Sequence, residues 1–70
     1  MNNFELIIKK YVCRELEEFS VEIQQNVVLV YFREEMAEFH RNGFIKVSEL
    51  GTSNYMEFDD VEEALEFLVS

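Results

Sequence analysis

The chain has no proline and no tryptophan, two glycines, one cysteine and one histidine in 70 residues. With so little proline and glycine, nothing in it reads as a flexible linker or a low-complexity tract, and regular elements joined by short turns are expected. The single cysteine, Cys13, excludes an internal disulfide and a thiolate zinc site, and suits a cytoplasmic protein. The single histidine, His40, excludes a His-Glu-x-x-His motif and any paired-histidine ligand set. Uninterrupted apolar runs are short as well. The longest, Val27 to Phe32, falls far below the roughly 20 residues of a membrane helix. The opening Met1-Asn2-Asn3-Phe4-Glu5 has no basic stretch leading into an apolar one, so no secretory signal is expected. Cations are scarce too: six Lys and Arg face fifteen Asp and Glu. That balance cannot supply the phosphate contacts that dominate nucleic-acid affinity, so direct nucleic-acid binding is not expected.

What the chain does contain is apolar and aromatic. Hydrophobic residues make up 49%, with seven Phe and three Tyr, too many for a disordered chain despite a net charge of −9. A domain this small buries only about 60% of its unfolded surface, and large rings are an efficient way to fill its core. The periodicities predict a single two-layer α+β domain over residues 1–70: an N-terminal helix, an antiparallel sheet of four or five strands and a C-terminal helix, both helices on one face.

The first helix is expected over residues 3–19. Phe4, Ile7, Ile8, Tyr11, Val12, Leu16 and Phe19 share one broad face, and Leu6 and Cys13 lie opposite. Asn2 and Glu5 have capping-box spacing. Glu15 falls within the apolar arc and breaks the pattern. Strands are expected over residues 21–25, 27–33, 44–50 and 54–58, and a final helix over 60–69 with Val61, Ala64, Leu65 and Leu68 inward. Asp59 and Asp60 are alternative caps for that helix.

Residues 34–41 support two readings. As a strand they form a hairpin with the next strand through Asn42-Gly43. As a short helix they place Phe32, Met36 and Phe39 on one face and end at Gly43. Against the strand, neither face of the hairpin looks cleanly apolar; against the helix, no N-capping residue precedes it.

No catalytic, cofactor-binding or metal-binding set stands out. His40 has no partner of the right type nearby, and Cys13 lacks a defined electropositive setting. Neither glycine belongs to a phosphate-binding loop. The acidic run Glu57, Asp59, Asp60 and Glu62 does not have the spacing of an EF-hand loop.

The distribution of charge is the one informative asymmetry. Residues 1–48 carry eight acidic and six basic side chains, whereas residues 49–70 carry seven acidic and none basic. Glu57, Asp59, Asp60, Glu62, Glu63 and Glu66 therefore form a candidate partner-binding edge. Such an edge suits a basic protein surface, for example a nucleic-acid enzyme whose Lys/Arg groove it would occlude. By analogy of size and charge alone, this is the economy of small phage or mobile-element inhibitors and DNA mimics. The alternative is a small homodimeric structural or accessory protein. Its candidate contacts are Leu6, Cys13 and Phe67, apolar residues off the core-facing stripes of their helices. An acidic helix kept only for solubility is the plain reading against which both stand.

Overall fold

The computed structural model describes residues 2–70. Its first element, α1 (Asn3–Val12), begins at a complete capping box. The Asn2 Oδ1 accepts the Glu5 N–H at 2.9 Å, and the Glu5 carboxylate accepts the Asn2 N–H at 3.3 Å. Lys9 and Lys10 in the last turn suit the negative end of the helix dipole.

α1 stops well short of residue 19. Cys13 is the C-cap, and Arg14 follows with φ of 62°. The Arg14 N–H bonds to the Tyr11 carbonyl at 3.1 Å and the Glu15 N–H to the Lys10 carbonyl at 2.9 Å. This is a Schellman closure with arginine where glycine is usual, at a steric cost of roughly 1–2 kcal/mol. The expected helix is thus corrected to ten residues. Residues 13–19 are turns that drop Leu16 into the core and set Phe19 edge-on to Phe32, their ring centroids 5.5 Å apart. Helical periodicity ran through this break because Leu16 and Phe19 reach the core by another path.

Five strands follow: β1 (Ser20–Ile23), β2 (Val27–Phe32), β3 (Glu35–His40), β4 (Ile45–Glu49) and β5 (Tyr55–Phe58). They form one antiparallel sheet in the order β1-β2-β3-β4-β5. Of residues 34–41, Glu35–His40 are therefore strand with a turn residue at each end, and the helical alternative is overturned. The hairpin register pairs Phe39 with Ile45 and Ala37 with Val47, and all four side chains are buried on the same face. That face is apolar after all; the other holds Met36, Glu38, Lys46 and Ser48. The register is set by the loop. Gly43, at φ of 98°, donates to the His40 carbonyl at 2.9 Å, while the His40 N–H reaches the Phe44 carbonyl at 2.8 Å. This is a three-residue hairpin with a glycine bulge. The β2–β3 connection is tighter, Arg33-Glu34 alone, and Arg33 takes φ of 56°.

The chain closes with α2 (Val61–Val69), capped by Asp60, whose Oδ2 accepts the Glu63 N–H at 3.1 Å. α1 lies on β2 and β3, and α2 on β3, β4 and β5, with the helices also touching each other. Between the layers, Phe4, Ile7, Leu16, Val61, Ala64 and Leu68 meet Val28, Val30, Ala37, Phe39, Ile45 and Val47. No polar side chain is buried among the described residues. The Asn3 amide ties the layers together at one end, donating to the Gly43 and Asp59 carbonyls at 3.1 Å each. Among the described residues, no helix is long and apolar enough to cross a membrane.

Candidate functional site

The six acidic candidates follow the chain around the β5 edge. Strand alternation turns Glu57 to the helix-free face, directly opposite Lys46 on β4. Asp59 lies in the link to α2, where its carbonyl accepts from Asn3. The Asp60 carboxylate is occupied as the α2 cap. Glu62, Glu63 and Glu66 stand on the outer side of α2, because Val61, Ala64 and Leu68 take the inner side. All six are exposed. They follow the chain from the helix-free face of β5, through the link, onto the outer and α1-facing sides of α2.

One of the six has a cation. The Lys10 ammonium, on α1, bonds to the Glu62 carboxylate and also reaches Glu15 at 3.4 Å. The hydrogen bond to Glu62 is the main reason that Lys10 is held above its ordinary pKa, with Glu15 adding to the effect and partial burial opposing it. Glu62 thus helps to dock α1 against α2. Among the described residues, Glu57, Asp59, Asp60, Glu63 and Glu66 have no ion-pair partner.

The three apolar candidates do not form one surface. Leu6 and Phe67 are partly buried against the core, and the Phe67 ring packs on Phe58 with centroids 5.4 Å apart. Leu6 shares a helical stripe with Asn3 and Lys10, whose side chains bond to Asp59 and Glu62, so it faces α2. Only Cys13, the helix cap, is exposed.

Other apolar residues are exposed instead. Tyr11 is 47% and Val12 71% accessible, though both were expected to face the core, and Ile23 on β1 is 47% accessible. The cause is the placement of α1 over β2 and β3, which leaves its last turn near β1 with little to cover. An open groove of about 590 Å³ runs there, lined by Tyr11, Val12, Leu16, Phe19 and Val21 with Arg14 and Glu17. Sequence reasoning missed this feature; its only signal was the width of the apolar arc on α1, wider than one packed face requires.

His40 ends β3 on the helix-free face, with Nε2 at 2.9 Å from the Glu38 carboxylate and its ring beside Phe44. Among the described residues, no further side chain is hydrogen-bonded to the pair.

No protein-family model, curated protein or solved structure matches the chain. The functional reading therefore rests on the geometry.

Proposed function

We propose that this chain is a non-enzymatic, acidic protein-binding module whose β5–α2 margin docks on a basic surface of a nucleic-acid-binding protein. The observation that carries the reading is the run of five exposed carboxylates there without an ion-pair partner among the described residues. On α2, Glu63 and Glu66 are one turn apart, and like charges at that spacing cost a few tenths of a kcal/mol. Docking on Lys and Arg side chains relieves that repulsion and speeds encounter, as phosphates do for a nucleic-acid ligand. The chain then acts as an inhibitor of the kind phages and mobile elements encode, or as a DNA mimic. A cytoplasmic location fits the single cysteine.

The test is a pull-down from lysate at low and high salt, with added duplex DNA as competitor. The variant joins Glu57→Gln, Glu63→Gln and Glu66→Gln and leaves Glu62, which holds Lys10, intact. The reading expects a basic partner released by salt and by DNA, and at least tenfold weaker binding by the variant, about 1.4 kcal/mol. Equal retention of wild type and variant at both salt concentrations would refute it.

A second reading is self-association as a small structural or accessory protein. It is favoured by the exposure of Tyr11, Val12 and Ile23 rather than by Leu6, Cys13 and Phe67.

A further inference from the structure

β1 is an edge strand whose outer side is unpaired in this chain. The Gln24 N–H donates to the Val27 carbonyl at 2.9 Å, which marks a narrow pair of the β1–β2 ladder. Antiparallel ladders alternate, so Glu22 and Ser20 also bond toward β2. Val21 and Ile23 must then turn their N–H and C=O groups outward. Their side chains lie on the helix-covered face, beside the groove and the exposed Tyr11 and Val12. An edge of this kind, with open backbone groups and an apolar flank, is a template for another strand.

We infer that two copies of this chain pair through β1, antiparallel about a two-fold axis at Val21. The inference rests on the self-association reading and is independent of the acidic margin. Register and chemistry select the occupant. With Val21 opposite its own counterpart, Ser20 faces Glu22 of the second copy, and Ile23 lies against the side chain of Phe19, the bend residue before β1 whose N–H is taken by the Leu16 carbonyl. Every pair on the helix-covered face is then apolar, and each carboxylate meets a hydroxyl. Val21, whose N–H and C=O point outward, becomes the central hydrogen-bonded pair. Centring the axis on Glu22 instead sets two carboxylates directly opposite, which is unfavourable. A shift by one residue puts Val21 against Glu22 and places the helical layers on opposite faces.

Charge placement agrees. In the antiparallel arrangement, Glu17 and Glu18 of one copy fall beside the uncharged turn Gln24-Gln25-Asn26 of the other. The acidic margin lies on the far side of the sheet, four strand spacings or roughly 19 Å from β1. That exceeds the Debye length of about 8 Å at physiological salt, so repulsion between the two margins is largely screened, and Glu15, Glu17, Glu18 and Glu22, offset by Arg14, are the charges left near the axis. Pairing turns two five-stranded sheets into one continuous sheet and covers the apolar overhang of α1.

Sedimentation equilibrium from micromolar to millimolar protein at physiological salt tests the association, and engineered cysteines test the register. The expected results are a dimer mass at the upper concentrations and at least tenfold weaker dimerisation for Val12→Lys and for Ile23→Lys, about 1.4 kcal/mol. The unfolding midpoints of both variants should stay unchanged at a concentration where the wild type is monomeric. In a Cys13→Ser background, mild oxidation should link Val21→Cys to its counterpart, since opposed Cα atoms about 5.5 Å apart suit a disulfide. Glu22→Cys should remain unlinked. A monomer at every concentration overturns both the inference and the self-association reading. A dimer that tolerates Ile23→Lys, or that links through position 22 and not 21, overturns the β1 interface while self-association stands.

Discussion

The two edges of the sheet solve the same problem in opposite ways. β1 and β5 each present backbone groups that no strand of this chain covers. At β5 the surroundings are acidic: Glu57 on the strand, Asp59 and Asp60 at its end, and the outer carboxylates of α2 alongside. Like charge keeps another copy of the same edge away, and α2 packs over the strand through Phe67 on Phe58. At β1 the only charge on the strand is Glu22, and α1 does not reach across to cover it. One edge is therefore protected against its own kind and suited to a basic partner. The other is less densely acidic, with Glu15, Glu17, Glu18 and Glu22 against Arg14, and its apolar flank is what the proposed pairing covers. A small domain can hold two such surfaces without conflict when the sheet separates them.

The largest effect on this contrast comes from the strand between the edges. Phe39 on β3 is fully buried beneath both helices, flanked by Val28 and Ile45. Phe39→Ala should cost about 3–5 kcal/mol, much of the stability of so small a domain, and both edges should be lost together. A urea titration checks it; a midpoint near the wild-type value would mean that the two layers do not share one core.

A smaller change sharpens the β1 side. Arg14 holds the left-handed C′ position that turns the chain from α1 toward β1. Arg14→Gly should relieve the strain and stabilise the fold by roughly 1 kcal/mol, while the open edge persists. Thermal unfolding measures it, and a lower melting temperature would count against the left-handed turn.

The smallest effect belongs to the acidic side. Lys10 is held above its ordinary value of 10.5, chiefly by its hydrogen bond to Glu62. A raised lysine pKa stabilises the fold below the unfolded value, and that contribution fades as pH rises through the folded one. Because Glu62 is largely exposed, the pair should contribute less than about 1 kcal/mol. Stability should therefore decline above pH 10.5 through this group, and Lys10→Met should remove that part of the decline. Unfolding midpoints of the two proteins, compared from neutral to alkaline pH, would show it. Parallel curves would mean that Lys10 and Glu62 do not hold α1 to α2.

Much of the architecture was legible in local pattern. The Asn2–Glu5 box, the Asp60 cap and the inward stripe of α2 are contacts between near neighbours, and spacing alone reveals them. β2, β4 and β5 were legible because β-branched and aromatic residues are concentrated there and turn residues bound them. The C-terminal end of α1 was not. Arg14 carries no mark of a left-handed residue, and Leu16 and Phe19 kept the helical spacing while reaching the core through turns. Residues 34–41 were ambiguous for a related reason. Whether Ala37 and Phe39 share a face with Ile45 and Val47 depends on a pairing register, and the Gly43 bulge sets it.

The candidate surfaces divide in the same way. Charge is a sum over residues, so the acidic margin can be read from the order of amino acids alone. Its bend around β5 and the capture of Glu62 by Lys10 cannot. Exposure is not a sum. Leu6 and Phe67 looked surplus and are packed, whereas Tyr11 and Val12 looked like core and are bare. The sequence by itself determined the class of fold, the helices at its two ends and the sign and location of the charge, because these follow from local periodicity and composition. Only the tertiary structure decided which apolar residues remain outside and which strand lies at an open edge, because both depend on where α1 comes to rest on the sheet.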